Sequence, residues 1–472
     1  MARASTSAVP WPSAVPRAGE AARLTVAALA LYAAFALGTF PADLHPADTR
    51  YTPIGGWGNL LPLWGCFALS VVAWHAAGAD KRSGLWAVVG AAAASLLVGW
   101  PILTADPREY ILLAHAEALG LDPLRAPYGS VAAMAEFPPM RMAAYPRLLD
   151  PYGPAFWALM RLWAVFPWQA GIWAWRAAMA GLYVGTARLW LGAVPSWARR
   201  GFLAAYGSPF AALSLAGGAH NVMLVLALAA LALRLADSSP ALWRDLALGG
   251  ALGLMLSFTL LGAGVAAGLW GLVLGRRGAR SAALSAAVAA AVFLLGYAAY
   301  GGTPLAALHD WVSPHGQSRQ VFVSLASAFG AWPGGALADT LTRAAAALAA
   351  FGLVIAALAV IPAAARAGRR DTLAWALPLA AALPLAFVGS VMPWYALPAL
   401  TLAAALGNPR PGQALVPYAV SYGGAIPLLL VRHVPGALGI VSWGLVAATA
   451  AAYALSRAAS RARPLPAGLV KG

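Results

Sequence analysis

Long apolar runs separated by short polar turns dominate this chain. A run of about 20 apolar residues crosses roughly 30 Å of hydrocarbon as an α-helix. Such runs fall near 21–40, 58–78 and 84–104, then at 170–190, 200–217, 221–236, 243–257, 259–275 and 281–300. A last group covers 337–361, 371–389, 394–407, 413–431 and 437–455. The pattern predicts an all-α, polytopic membrane protein with about 13–14 transmembrane helices. The pairs at 243–275 and 371–407 can each also be read as one broken helix.

The stretch 106–169 breaks the pattern. It holds Asp106, Glu109, Glu117, Asp122, Glu136 and Asp150, six of the 15 carboxylates. A helix is expected over 107–119, with turns at the Asp122–Pro123 step and at DPYGP, 150–154. The segment GPAFWALMRLWAVFPW, 153–168, is short for a span and carries Arg161 among Trp157, Trp163 and Trp168, as an interfacial helix does. The expected organisation is a cytoplasmic tail at 1–20, three transmembrane helices within 21–105, and an outward loop with interfacial helices at 106–169. Transmembrane helices at 170–300, an outward loop at 301–336, further transmembrane helices at 337–456 and a cytoplasmic tail at 457–472 complete it.

Composition sharpens the class. The chain is 61% hydrophobic and 10% charged, with a mean hydropathy of +0.73. Soluble domains carry about 25% charged residues, so this chain cannot wet its whole surface. The net charge of +16 is divided among short loops, which leaves no basic domain for nucleic acid. The single Cys66 excludes an intrachain disulfide and a cysteine-based metal cluster.

Charge also sets the sidedness. With 153–168 lying on the membrane surface, 21 of the 31 Lys and Arg fall inside and 10 fall outside or near the outer face. The positive-inside rule selects that arrangement, with cytoplasmic termini and an outward acidic loop. The same outer face receives the 301–336 loop, GGAHN at 217–221, VMPWY at 391–395 and RHVP at 432–435. Irregular backbone at membrane depth persists where protein or a water-filled cavity surrounds it, so one outward cavity is expected.

Several polar residues there can carry chemistry. Asp106 precedes Pro107 and can cap the following helix, or act as a general base on an acceptor hydroxyl at the membrane boundary. Glu109 and Glu117 fall near the same helical face and also suit a solvated surface. Tyr152 can stack on a sugar or anchor at the interface. Arg176 sits about six residues into its span; it either snorkels outward or clamps a phosphate through its planar fork. His220 and Asn221 open a helix, where His220 is read as a hydrogen-bond donor to phosphate or sugar. Arg319 and Arg432 are further outward cations. His309, His315 and His433 are too scattered for a metal motif; no cofactor is expected, and a divalent metal stays open without support from the sequence. No nucleotide-binding loop is present, so a lipid-linked donor that carries its own leaving group fits better.

The ordered motifs resemble those of the GT-C membrane glycosyltransferases, most closely the polyprenol-phosphate-mannose-dependent α-(1→6)-mannosyltransferases. Asp106 and Tyr110 match an Asp followed four residues later by Tyr after the third span. Gly120, Asp122 and Pro123 match a G-x-D-P-Y turn in which Leu124 replaces Tyr. Pro151, Tyr152, Gly153 and Pro154 match P-Y-G-P. Ser208, Pro209 and Phe210 stand where the family has N-P-L, and Gly218, Ala219, His220 and Asn221 match G-A-H-N-D except that Val222 replaces the final Asp. Pro393, Trp394 and Tyr395 match a late P-W-Y.

The resemblance runs in order from about residue 20 to 455. It implies a GT-C fold and an inverting transferase that moves a hexose, mannose first, from a polyprenyl-phosphate donor to a glycan or glycolipid acceptor. Asp106 is then the base. Arg176, His220 and Asn221 face the donor phosphate. Glu109, Tyr110, Asp122, Tyr152, Trp394 and Tyr395 serve acceptor and sugar. The setting implied is a bacterial inner membrane, with the site facing the periplasm or exterior. The rival class is a transporter or flippase for a lipid-linked or small polar substrate, for which repeats or paired half-helices are expected.

Overall fold

Alanine- and leucine-rich runs favour helix, and every regular element among the described residues is helical. The computed structural model describes residues 81–97, 106–120, 152–207, 209–259, 261–300, 344, 347–386 and 393–406. The expected spans at 21–40, 58–78, 413–431 and 437–455, both tails, Asp122, Glu136, Asp150 and the 301–336 loop lie outside the described residues.

The elements run in chain order as α1 (Lys81–Leu97), α2 (Asp106–Ala118), α3 (Pro154–Arg161) and α4 (Trp168–Ala193). Then follow α5 (Arg199–Tyr206), α6 (Val222–Asp237), α7 (Leu242–Phe258), α8 (Leu261–Arg276) and α9 (Ala279–Ala299). The last are α10 (Ala347–Arg366), α11 (Arg370–Ala382) and α12 (Leu397–Leu406). Neighbours pack as α1 on α4, α4 on α6, α6 on α7 and α7 on α9, while α8 packs on α10 and α11.

The pairs at 243–275 and 371–407 are each two helices. Thr259 is extended, φ −164° and ψ 150°, which ends α7 before α8 begins. The expected continuous span at 200–217 is instead broken. Its pieces are α5, a single α-helical turn Pro209–Ala212 and a π-helical turn Leu213–Gly217. Pro209 lacks an amide donor and disfavours helix at the residue before it, and Gly217–Gly218 ends the run. Segment 153–168 forms the eight-residue α3 followed by a 3₁₀ turn, Leu162–Val165.

Glycines determine how closely these helices approach. A Cβ on Gly249 would lie 2.7 Å from the Ser285 carbonyl oxygen, and one on Gly253 would lie 2.8 Å from that of Ala289. The two contacts step in the same direction, so α7 and α9 run parallel with backbones in contact. On α8, Gly264 meets Ala380 of α11 while Gly271 and Gly275 meet Ala357 and Pro362 of α10. Close backbone approach through small residues is how helices associate where no water drives them together.

Two helices, α9 and α10, are long and apolar enough to cross a membrane by length and composition. Only 22% and 33% of their most apolar stretches are buried, unlike the core helix of a soluble protein. Leu294, Leu295, Leu348 and Phe351 all point outward. The two ends of the helix group differ in chemistry. One end carries clustered arginines at 276–280 and 366–370, with Arg277 Nη1 2.9 Å from Asp245 Oδ1, Ser281 Oγ donating to Asp245 Oδ2 at 3.0 Å, and Arg276 paired with Asp237. The other end carries Asp106 and His220.

This packing makes a direct prediction. Gly249→Leu should destabilise the protein by about 1–3 kcal/mol through overpacking against Ser285. Gly250→Ala, with open space around its Cβ, should stay within about 1 kcal/mol of wild type. Thermal unfolding in detergent measures both; equal behaviour of the two variants would contradict the packing.

Candidate functional site

Chain breaks bring the site together. Asp106 is the first residue of α2, and its carboxylate meets the side chains of Tyr110 and His220. The Tyr110 hydroxyl, one turn along, donates to Asp106 Oδ2 at 3.3 Å. His220 Nδ1 lies 2.8 Å from the same oxygen. The imidazole is fully buried, whereas the Asp106 side chain keeps 20% of its surface exposed. The contact is a close polar approach that lacks the alignment of a hydrogen bond.

Tyr110 is enclosed and its hydroxyl lies 3.3 Å from that of Tyr152. Burial, and then the charge of Asp106, push the Tyr110 hydroxyl well above its ordinary pKa. Tyr110 therefore stays protonated and acts as a hydrogen-bond donor to the carboxylate. Tyr152 is fixed by an antiparallel bridge to Thr259 and by the Gly153 amide donating to the Phe258 carbonyl at 3.2 Å. A side chain at Gly153 would collide with the Ser257 carbonyl, which ties the PYGP turn to the end of α7.

His220 is held from several sides. Its amide donates to the Ser214 carbonyl at 3.3 Å, across the π-helical turn. Its ring stacks on Trp394, with centroids 3.9 Å apart and planes at 19°. Trp394 is itself packed edge-on against Tyr395. Ala219 precedes it in left-handed backbone, φ 49°, a conformation that costs a non-glycine residue about 1 kcal/mol or more. Trp175 Nε1 donates to the Ala219 carbonyl at 3.0 Å.

Arg176 is 1% exposed. Its Nε donates to the Gly217 carbonyl at 2.8 Å and its Nη2 to the Ser95 carbonyl at 3.3 Å. Its guanidinium also lies 4.5 Å over the Trp173 ring. The Arg neither snorkels to water nor pairs with an acid among the described residues; carbonyl dipoles receive it. Its Nη1 has no hydrogen-bond partner there. His220 Nε2, Asn221 Nδ2 and Trp394 Nε1 are likewise buried without hydrogen-bond partners among the described residues.

Thus Asp106, Tyr110, Tyr152, His220, Asn221, Trp394 and Tyr395 gather at one end of the helices, with Arg176 behind the turn that carries His220. Glu109 lies on α2. The Tyr152 ring packs against Tyr110 and Phe156, at 5.4 and 4.7 Å between centroids, and one Trp394 face is covered by His220. Tyr152 and Trp394 are buried, and Tyr395 is half-buried. Trp175 and the π-helical turn at 213–217 are the parts of the site that sequence reasoning missed. No group of three or more His, Cys, Asp or Glu able to hold a metal occurs among the described residues.

No family model, no curated protein and no solved structure matches the chain.

The Arg176 contacts carry a stability prediction. Arg176→Ala leaves the Gly217 and Ser95 carbonyls without their donors and should lower the stability of the substrate-free protein by about 1–3 kcal/mol. Arg176→Lys keeps the charge but not the fork, and should recover part of that loss. Unchanged unfolding of the alanine variant in detergent would show that these bonds carry no weight.

Proposed function

We propose that the chain is an inverting membrane glycosyltransferase of the GT-C type, resident in a bacterial inner membrane with its site on the outer face. Its donor is a polyprenyl-phosphate hexose, mannose first, and its acceptor is a membrane-associated glycan or glycolipid. The observation that carries this reading is the approach of Asp106 to His220 at 2.8 Å, with a buried arginine unpaired to any acid among the described residues nearby. A partly exposed carboxylate beside an apolar bundle suits proton abstraction. A buried cation favours an anion, here the phosphate of a lipid that enters sideways from the bilayer.

Asp106 takes the proton from an acceptor hydroxyl. That oxygen forms a bond to the anomeric carbon as the bond from that carbon to the phosphate oxygen breaks, with inversion. Polyprenyl phosphate leaves with the electron pair. His220 Nε2 and Asn221 Nδ2 meet the phosphate, and Arg176 adds its field and its remaining Nη1. Tyr110 keeps the carboxylate oriented. The exposed apolar faces of α9 and α10 support the membrane setting, and the arginine-rich opposite end supports the orientation.

Purified protein incubated with radiolabelled polyprenyl-phosphate mannose and a panel of membrane glycolipids tests the reading. Transfer of label to a glycolipid is expected. Movement of the lipid donor across a vesicle membrane without transfer would instead support the flippase class. Asp106→Asn should lower turnover about 10²–10⁴-fold in protein that still folds. Near wild-type turnover would reduce Asp106 to a helix-start residue and make Glu109 the next candidate base.

A further inference from the structure

Trp175 joins two parts of the site that are distant in sequence. Its indole N–H donates to the carbonyl of Ala219, the residue immediately before His220. Its ring meets the edge of Tyr110, on the helix that begins with Asp106, at 6.1 Å between centroids. Trp163 and Phe156 pack on it at 5.5 and 6.4 Å, which leaves the indole little freedom. The residue it holds is under strain, since Ala219 has φ 49° and is the one non-glycine residue with positive φ among the described residues. Strained backbone persists where its surroundings over-determine it, and such places concentrate at functional sites. The π-helical turn directly before it belongs to the same class of irregularity.

We infer that Trp175 is a positioning residue, one whose indole N–H fixes the strained Ala219 turn and thereby sets His220 against Asp106. Packing alone does not require that hydrogen bond. A phenylalanine would fill most of the aromatic space and lose only the N–H donor. The Ala219 carbonyl would then be buried without its donor, and the turn would relax away from positive φ. His220 would move with it, because its amide nitrogen belongs to the same planar peptide unit as the Ala219 carbonyl. The consequence for turnover rests on the transferase reading above; the consequence for His220 does not.

Two readouts separate these cases. In protein labelled with ¹⁵N-histidine, Trp175→Phe should alter the His220 imidazole signal in the same sense as Asp106→Asn does. In the transfer assay, Trp175→Phe should lower turnover about 10- to 100-fold, the scale on which small misplacements act. Ala219→Gly removes the penalty on positive φ, so the turn can keep its shape without the indole bond. The double variant Trp175→Phe/Ala219→Gly should therefore recover most of both the His220 signal and the turnover. A purely structural Trp175 would give reduced thermal stability that Ala219→Gly does not rescue. An unchanged His220 signal in Trp175→Phe, or a double variant no better than Trp175→Phe alone, overturns the inference. If the wild-type protein transfers no sugar, the transferase reading fails and the His220 signal still decides the role of Trp175.

Discussion

A carboxylate and an imidazole set 2.8 Å apart at the margin of an apolar helix group are the contact around which the rest of the site is arranged. Removing ionisable groups from water is costly unless each meets a partner. Asp106 keeps some contact with solvent, but His220 has none, so the buried ring depends on its neighbours. Trp394 covers one face of it, the π-helical turn fixes its backbone, and Tyr110 shares the carboxylate oxygen it approaches. Each neighbour comes from a different segment of the chain. The contact therefore ties α2, the turn before α6 and the 393–406 segment together at one point.

The remaining helices pack against one another at close range. Backbones approach through Gly249, Gly253, Gly264 and Gly271, where any larger side chain would strike a carbonyl. The far end is closed by a different device, the buried Asp245 with Arg277 and Ser281. Acid–imidazole chemistry and arginine clustering thus occupy opposite ends, separated by apolar helices. Outward-facing leucines on α9 and α10 match a hydrocarbon medium, in which such exposure carries no hydrophobic penalty.

Much of this arrangement was legible in the residues because apolar periodicity and helix breakers are local signals. The separate helices at 222–237, 242–258 and 261–276 follow their runs closely. Asp106, His220 and Asn221 stand out since polar groups are rare in such a chain, whereas Tyr110 stands out only through the motif that the resemblance supplies. The distance between the two pairs was not legible, because Asp106 and Tyr110 open α2 while His220 and Asn221 precede α6, and these segments meet only in three dimensions. The same reason hid the packing roles of Tyr152 and Trp394, whose rings read equally well as open stacking surfaces. Trp175 was hidden differently. In the run WAWR an aromatic at a helix face reads as core, and nothing in the sequence marks Ala219 as strained. The break at 209–217 was signalled by Pro209 and Gly217, but the apolar residues around them outweighed it.

The coupling between Asp106 and His220 is measured most directly by a double-mutant cycle on the unfolding of the substrate-free protein in detergent, with Asp106→Asn, His220→Gln and the double variant. Residues in contact in one polar network couple by about 0.5–3 kcal/mol, so the double variant should lose clearly less stability than the two single losses combined. Strictly additive losses, with a coupling of zero within error, would contradict the contact on which this account of the site rests.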